Sequence, residues 1–175
     1  MGNRNPPVLI IYIVLIIVGV RTFAPRLFDR TIARGESFSA KIPQGWSVKK
    51  DQHEITFTSA ETDLVTDMPV AIFSIYAEKQ KGALFMEDFF PEVIAALQKE
   101  NGDILKTGDQ LIDGQTAKWV LFRYNKPDIA VLTLYIVDDY NRLTRIQFVG
   151  TLKKFEKYGK VFDEFKKSIK LKGAM

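Results

Sequence analysis

Cysteine is absent from all 175 residues, and histidine occurs once, at His53. Without a thiol there is no disulfide framework and no thiolate metal site, and a bacterial lipoprotein, which needs a cysteine to acylate, is ruled out. The lack of disulfides suits either side of a membrane. A single histidine excludes a histidine-based metal site from one chain and leaves a catalytic triad only one possible base. No Gly-Lys-Ser/Thr and no Gly-x-Gly-x-x-Gly occurs, so Gly108 and Gly114 belong to no phosphate-binding fingerprint. Internal repeats, low-complexity tracts and long Pro/Gly/Ser linkers are missing too, so most of the chain reads as one domain with one core.

What the chain does have is a nearly unbroken apolar run, Val8 to Val20, behind Pro6 and Pro7. Its length fits a signal-peptide h-region better than the roughly 20 residues of a usual membrane span. The ends extend it. Proline is acceptable in a first helical turn, where the missing N–H has no partner to lose. If Arg21 snorkels and Thr22, Phe23 and Ala24 continue the helix, about 19 residues rise through about 28 Å, enough to span. Cleavage after Ala24 would place Thr22 at the −3 position and Pro25 directly behind the cut, a poor site. The expectation is a retained single-pass anchor over residues 1–24 contacting the membrane through residues 6–24, with a cleaved signal and a buried core helix as alternatives. Residues 25–35 then form a short charged linker and residues 36–175 the globular domain.

Orientation is contested within the sequence. Only Arg4 and the amino terminus precede the run, whereas Arg21, Arg26, Arg30 and Arg34 follow it, and the positive-inside rule reads this as a cytoplasmic domain. The net charge of +4 is otherwise uninformative, because Arg4, Arg21, Arg26 and Arg30 against Asp29 account for most of it. The folded part is nearly neutral, which gives no electrostatic basis for nucleic-acid binding. Charge is segregated, however. From Lys153 to Lys172 eight lysines stand against Glu156, Asp163 and Glu164. Such a stretch is the solvated face of an amphipathic helix, with contact to anionic lipid or an acidic partner as the sharper alternative.

Periodicity predicts an α+β fold. Phe38, Ala40 and Ile42 alternate with Ser39 and Lys41 as in a half-buried strand, and Pro43-Gln44-Gly45 turns the chain into Trp46, Ser47 and Val48. Ile55 and Phe57 mark another strand. Val70 to Glu78, apolar on both faces, is expected to be central. Phe89, Phe90, Val93, Ile94 and Leu97 fall at helical spacing, Pro91 being tolerated if the helix begins near Glu87 or Asp88, and Asn101-Gly102 close it. Four strands follow as an antiparallel meander: Ile104–Ile112, Gln115–Tyr124, Ile129–Val137 and Arg142–Gly150. They are joined by turns at Asp113-Gly114, Lys126-Pro127 and Asp139-Tyr140-Asn141. Thr151 is placed to cap a last helix with an apolar stripe of Phe155, Tyr158, Phe162, Phe165 and Ile169.

No catalytic, cofactor-binding or metal residue is assigned. His53 lies in a polar turn between Asp51 and Glu54, with no nucleophile nearby in sequence. Gly35-Glu36-Ser37-Phe38-Ser39 misses the second glycine and the following helix of a nucleophile elbow. Asp138, Asp139 and Asn141 offer oxygen ligands, but they lack calcium-loop spacing and are the residues a hairpin turn selects. Trp46 and Trp119 read as core or sheet-face aromatics, with partner anchoring as the sharper idea.

The string Ser37-Phe38-Ser39-Ala40-Lys41-Ile42-Pro43-Gln44-Gly45-Trp46 carries a family resemblance. So do the middle helix, the Asp-Gly hairpin before Ala117 and Trp119, and the Phe-rich last helix. Together, over roughly residues 36 to 171, they resemble the PsbP-like superfamily, which includes the photosystem II extrinsic protein, DcrB-type envelope proteins and a Ran-binding protein. The resemblance implies an antiparallel sheet flanked by helices, an α/β/α sandwich. It also implies a non-enzymatic role in binding or stabilising another protein, and in many cases export, so that the domain is expected on the extracytoplasmic side. It assigns no site residue and no cofactor. A small-ligand binder or an enzyme with a site assembled from scattered loops is the alternative.

Overall fold

The computed structural model describes residues 32–62, 69–125 and 128–172. The apolar run, Arg4, Arg21, Arg26, Arg30 and the Lys126-Pro127 turn lie outside the described residues. Among the described residues no helix is long and apolar enough to cross a membrane.

The element order is β1 (Ile32–Arg34), β2 (Phe38–Lys41), β3 (Ser47–Lys50), β4 (Glu54–Thr58), β5 (Ile72–Lys79), α1 (Met86–Lys99), β6 (Asp103–Ile112), β7 (Gln115–Asn125), β8 (Asp128–Val137), β9 (Arg142–Gly150), α2 (Leu152–Ser168) and β10 (Lys170–Leu171). β3 to β9 form one seven-stranded sheet in the order β3-β4-β5-β9-β8-β7-β6, antiparallel throughout. The expected meander is its β6-to-β9 half. β5 sits between β4 and β9, and its burial on both faces fits the apolar composition of that segment.

A second, small sheet has the order β1-β2-β10. Ile32–Arg34, assigned to the linker from sequence, is thus a strand of the domain, with Ala33 turned into the core. Three residues with one inward side chain are too short for alternation to show. The helix from Met86 also places Pro91 in its second turn, deeper than expected. Pro91 faces outward, so the carbonyl that loses its helical partner is left to water.

The two helices lie on opposite faces of the large sheet. On one face α2 sends Tyr158, Phe162 and Phe165 into a cluster with Phe57, Phe73, Phe148 and Ile146. On the other face α1 packs on Val120, Phe122, Tyr124, Val131 and Tyr135 and contributes a single buried residue, Leu97. The sheet curls around α2: Phe165 meets Phe57 on β4 at 4.8 Å between ring centroids, while the next residue, Lys166, reaches Gln110 on β6 at 3.4 Å. The curl is helped at Gly108, where a Cβ would come within 2.8 Å of the Trp119 ring lying over it.

Both helix ends have local explanations. Asn101 takes a left-handed φ of 61°, and the N–H groups of Asn101 and Gly102 close on the carbonyls of Gln98 and Leu97, the two bonds of a Schellman cap. Thr151 stands at the start of α2 but caps with its backbone alone. Its carbonyl receives Lys154 and Phe155, and its hydroxyl makes no capping bond.

Candidate interaction groove

The local string Pro43-Gln44-Gly45-Trp46 builds the site. Trp46 N–H donates to the Pro43 carbonyl at 3.1 Å, and Gly45 takes φ 77° at the third position of the turn, a conformation that penalises any Cβ. Trp46 then plants the turn on the core, its ring 4.3 Å from Phe73 and edge-on to Tyr158. Both tryptophans therefore serve packing. Trp46 holds this turn, and Trp119 covers Gly108 with Lys106 over its ring.

Between the turn and the outer side of α2 runs an open groove of about 490 Å³. Its apolar floor is Ile42, Pro43, Val161 and Phe165, and Lys41, Lys160, Lys167 and Glu164 stand on its rim, the last two paired with each other. Ser168 fixes its width: the hydroxyl accepts Lys41 N–H at 3.0 Å and donates to the Phe165 carbonyl, tying the end of β2 to the last turn of α2. Sequence reading missed this groove because its two walls are more than a hundred residues apart.

The lysine-rich segment is not an open basic face. Lys154 and Lys157 meet Glu61, which also accepts the Tyr158 hydroxyl, Lys166 meets Asp163, Lys167 meets Glu164, and Lys170 meets Asp113. Lys172 donates to the Gly35 carbonyl. Only Lys153 and Lys160 of the eight have no polar partner among the described residues. The Lys157 ammonium is the main reason that the Glu61 carboxyl is held below its ordinary pKa. Lys170, then the Leu171 N–H, do the same for Asp113. These ties pin both ends of α2 and steady the groove wall.

The structure brings Ser37 and His53 to one small cavity with Asp51, Gln52 and Glu54, a convergence invisible in sequence. Its volume of about 10 Å³ is that of a single water at most. No hydrogen bond joins Ser37 to His53. Asp51 turns its carboxylate to the Gln52 N–H instead of orienting the imidazole, which stands edge-on to Tyr76 at 6.4 Å. The arrangement lacks the base-to-nucleophile contact that acid–base chemistry requires.

Asp138 and Asn141 are occupied by their own turn. Asp138 accepts the N–H groups of Tyr140 and Arg142. Asn141, with φ 57°, donates to the carbonyls of Gln80 and Gly82 and accepts the Leu84 N–H at 2.8 Å, so it staples the approach to α1. Among the described residues no three metal-ligating side chains converge.

No protein-family model matches the sequence, and no curated protein matches it. Solved structures do. A Pseudomonas aeruginosa protein of unknown function, PA94, a putative regulator, is 15% identical with a TM-score of 0.60, over 82% of this chain and 98% of that one. The cyanobacterial PsbP (CyanoP) of Synechocystis is 9% identical with a TM-score of 0.55, over 88% and 100%. The Saccharomyces cerevisiae Ran-binding protein Mog1p is 10% identical with a TM-score of 0.50, over 77% and 90%. At such identities the likeness is one of fold, and the fold is of the PsbP and Mog1 type.

Proposed function

We propose that this chain is a membrane-tethered interaction module. In this reading residues 6–24 hold the domain on the extracytoplasmic side, where it binds or stabilises a membrane or envelope protein complex without performing chemistry. The observation that carries the reading is the groove beside α2: open, floored by apolar side chains, rimmed by charged ones, and mounted on the aromatic core. A rigid concave surface with an apolar centre and a polar rim is the anatomy of a protein-binding site. Support also comes from Mog1p, a fold neighbour described as Ran-binding, and from the Val8–Val20 run for the tether. The arginines after that run weigh against the orientation.

The alternative, a ligand or enzyme site drawn from loops, has its best place at Ser37 and His53, where there is room for about one water. The test is affinity capture from gently solubilised membranes, with and without residues 1–24. The reading expects one reproducible partner that is lost or diminished when the tether is removed. Recovery of no reproducible partner with either form would sink it.

A further inference from the structure

The large sheet ends in two unlike edges. β3 is four residues long and carries Lys49 and Lys50, the short, charged form in which an edge resists a further strand. β6 is ten residues long, and among the described residues no strand lies along its outer side. It also holds Leu111, 70% exposed and the most exposed large apolar side chain among the described residues, and Leu105, 46% exposed.

The hairpin after β6 decides which of its backbone groups face outward. Asp113 and Gly114 take φ 48° and 83° in a two-residue turn, so the flanking pair, Ile112 and Gln115, exchange backbone hydrogen bonds. Alternation then directs the N–H and C=O of Ile112, Gln110 and Gly108 to β7, and those of Leu111, Asp109 and Thr107 away from it. The ladder with β7 is regular from Lys106 to Ile112. The bulge lies before that stretch, where Leu105 has no partner on β7. Lys106 lays its ammonium over the Trp119 ring at 5.9 Å, so this cation sits over the sheet and not across its edge.

We infer that β6 is a self-pairing edge: a second copy of this chain adds its own β6, antiparallel, about a two-fold axis at Gly108, and the two sheets become one. The strand is complementary to itself in this register. Gly108 lies opposite its counterpart, Thr107 meets Asp109 as hydroxyl against carboxylate, Lys106 meets Gln110, and Leu111 of each copy comes beside Leu105 of the other. Moving the axis to Asp109 would set two carboxylates opposite each other, and moving it to Thr107 would set Asp109 against Leu105. A one-residue slip of the pairing would place side chains from opposite faces against each other. β6 also lies across α2 from the groove, since Lys166 of α2 reaches Gln110 whereas Lys160, Val161 and Glu164 line the groove. Pairing therefore leaves both grooves open, and it goes beyond the proposed tether and partner without depending on either.

The absence of cysteine makes the register directly readable. The full chain in mild detergent is prepared as Lys106→Cys and, separately, as Gln110→Cys. Across the pair these positions face each other without sharing backbone hydrogen bonds, the closer kind of antiparallel pair and the one that suits a disulfide. On mild oxidation an equimolar mixture should give about tenfold more covalent dimer than either variant alone, where the two cysteines stand about 13 Å out of register. Adding Leu111→Lys to both chains should cut that yield about tenfold, because it sets a charge against Leu105 at each end of the ladder; circular dichroism shows that the fold is kept. Equal yields in the mixture and the single variants, as chance collision or association through residues 1–24 would give, would overturn the inference. A mixture yield indifferent to Leu111→Lys would overturn it as well. Either result would leave the groove and the tether standing.

Discussion

The two faces of the sheet are packed by different means. On the α2 face, phenylalanines from strands and helix interlock: Phe73 lies within 5.2 Å, between ring centroids, of Phe148, Phe162 and Phe165, and Phe148 stacks on Phe155 at 4.0 Å. On the α1 face the same strands present a row of Thr56, Ser74, Gln147 and Thr133, one opposite the next across four strands, and the covering helix buries only Leu97. α1 lies beside that row, on the apolar cluster of β7 and β8, where Met86, Phe89, Phe90, Val93 and Ile94 stay only partly buried, whereas α2 buries Tyr158, Phe162 and Phe165. The groove belongs to the firm side, which is where a binding surface gains most from being preorganised.

That contrast can be broken by mutation. Phe73→Ala should cost about 4 kcal/mol in urea unfolding, and Leu97→Ala about 2–3 kcal/mol. Equal losses would erase the distinction between the faces. Asn141→Ala removes three bonds to residues 80–84 and should cost about 1–2 kcal/mol. Its amide hydrogen exchange should quicken in α1 and stay unchanged in α2. Gly45→Ala meets no atom within 4 Å, so its cost is the left-handed backbone alone, about 1 kcal/mol, and it should leave the α1 face untouched.

Titration sharpens the comparison with the smallest effects. Glu61 ties down α2 and Asp113 the strand β10 that follows it, and their lowered pKa values mean that they stabilise the fold above their ordinary values of 4.5 and 3.8. That contribution fades as pH falls through the folded-state values. On the α1 face, burial and then the Glu78 hydrogen bond push Tyr76 up to about 12, and burial and then the Glu100 charge push Tyr124 to the same level. Keeping these phenols neutral stabilises the fold below pH 10, and that part is lost as pH rises toward 12. Side-chain NMR should show acid loosening residues around Glu61 and alkali loosening those around Tyr76 and Tyr124. The reverse order would mean that the ties are wrongly assigned.

Much of the fold was legible because period carries it. Alternation marked β2, short polar turns marked the four meander strands, and the three-and-four spacing of Phe155, Tyr158, Phe162 and Phe165 marked α2. β1 and β10 were not legible, since two or three residues cannot display a period and their pairing depends on distant partners. The lysines of α2 could be read as a solvated face, but not as a mostly paired one, because Glu61 and Asp113 come from other parts of the chain. The groove was illegible for the same reason: Ile42 and Val161 acquire a common purpose only when Trp46 plants its turn against the helix.

The most direct test of the tethered module combines alkaline extraction with protease protection of the full chain in sealed, right-side-out membrane vesicles. The account predicts that the chain stays with the membrane through the alkaline wash and that externally added protease digests the domain. Release by the wash, or protection until the vesicles are permeabilised, would contradict it.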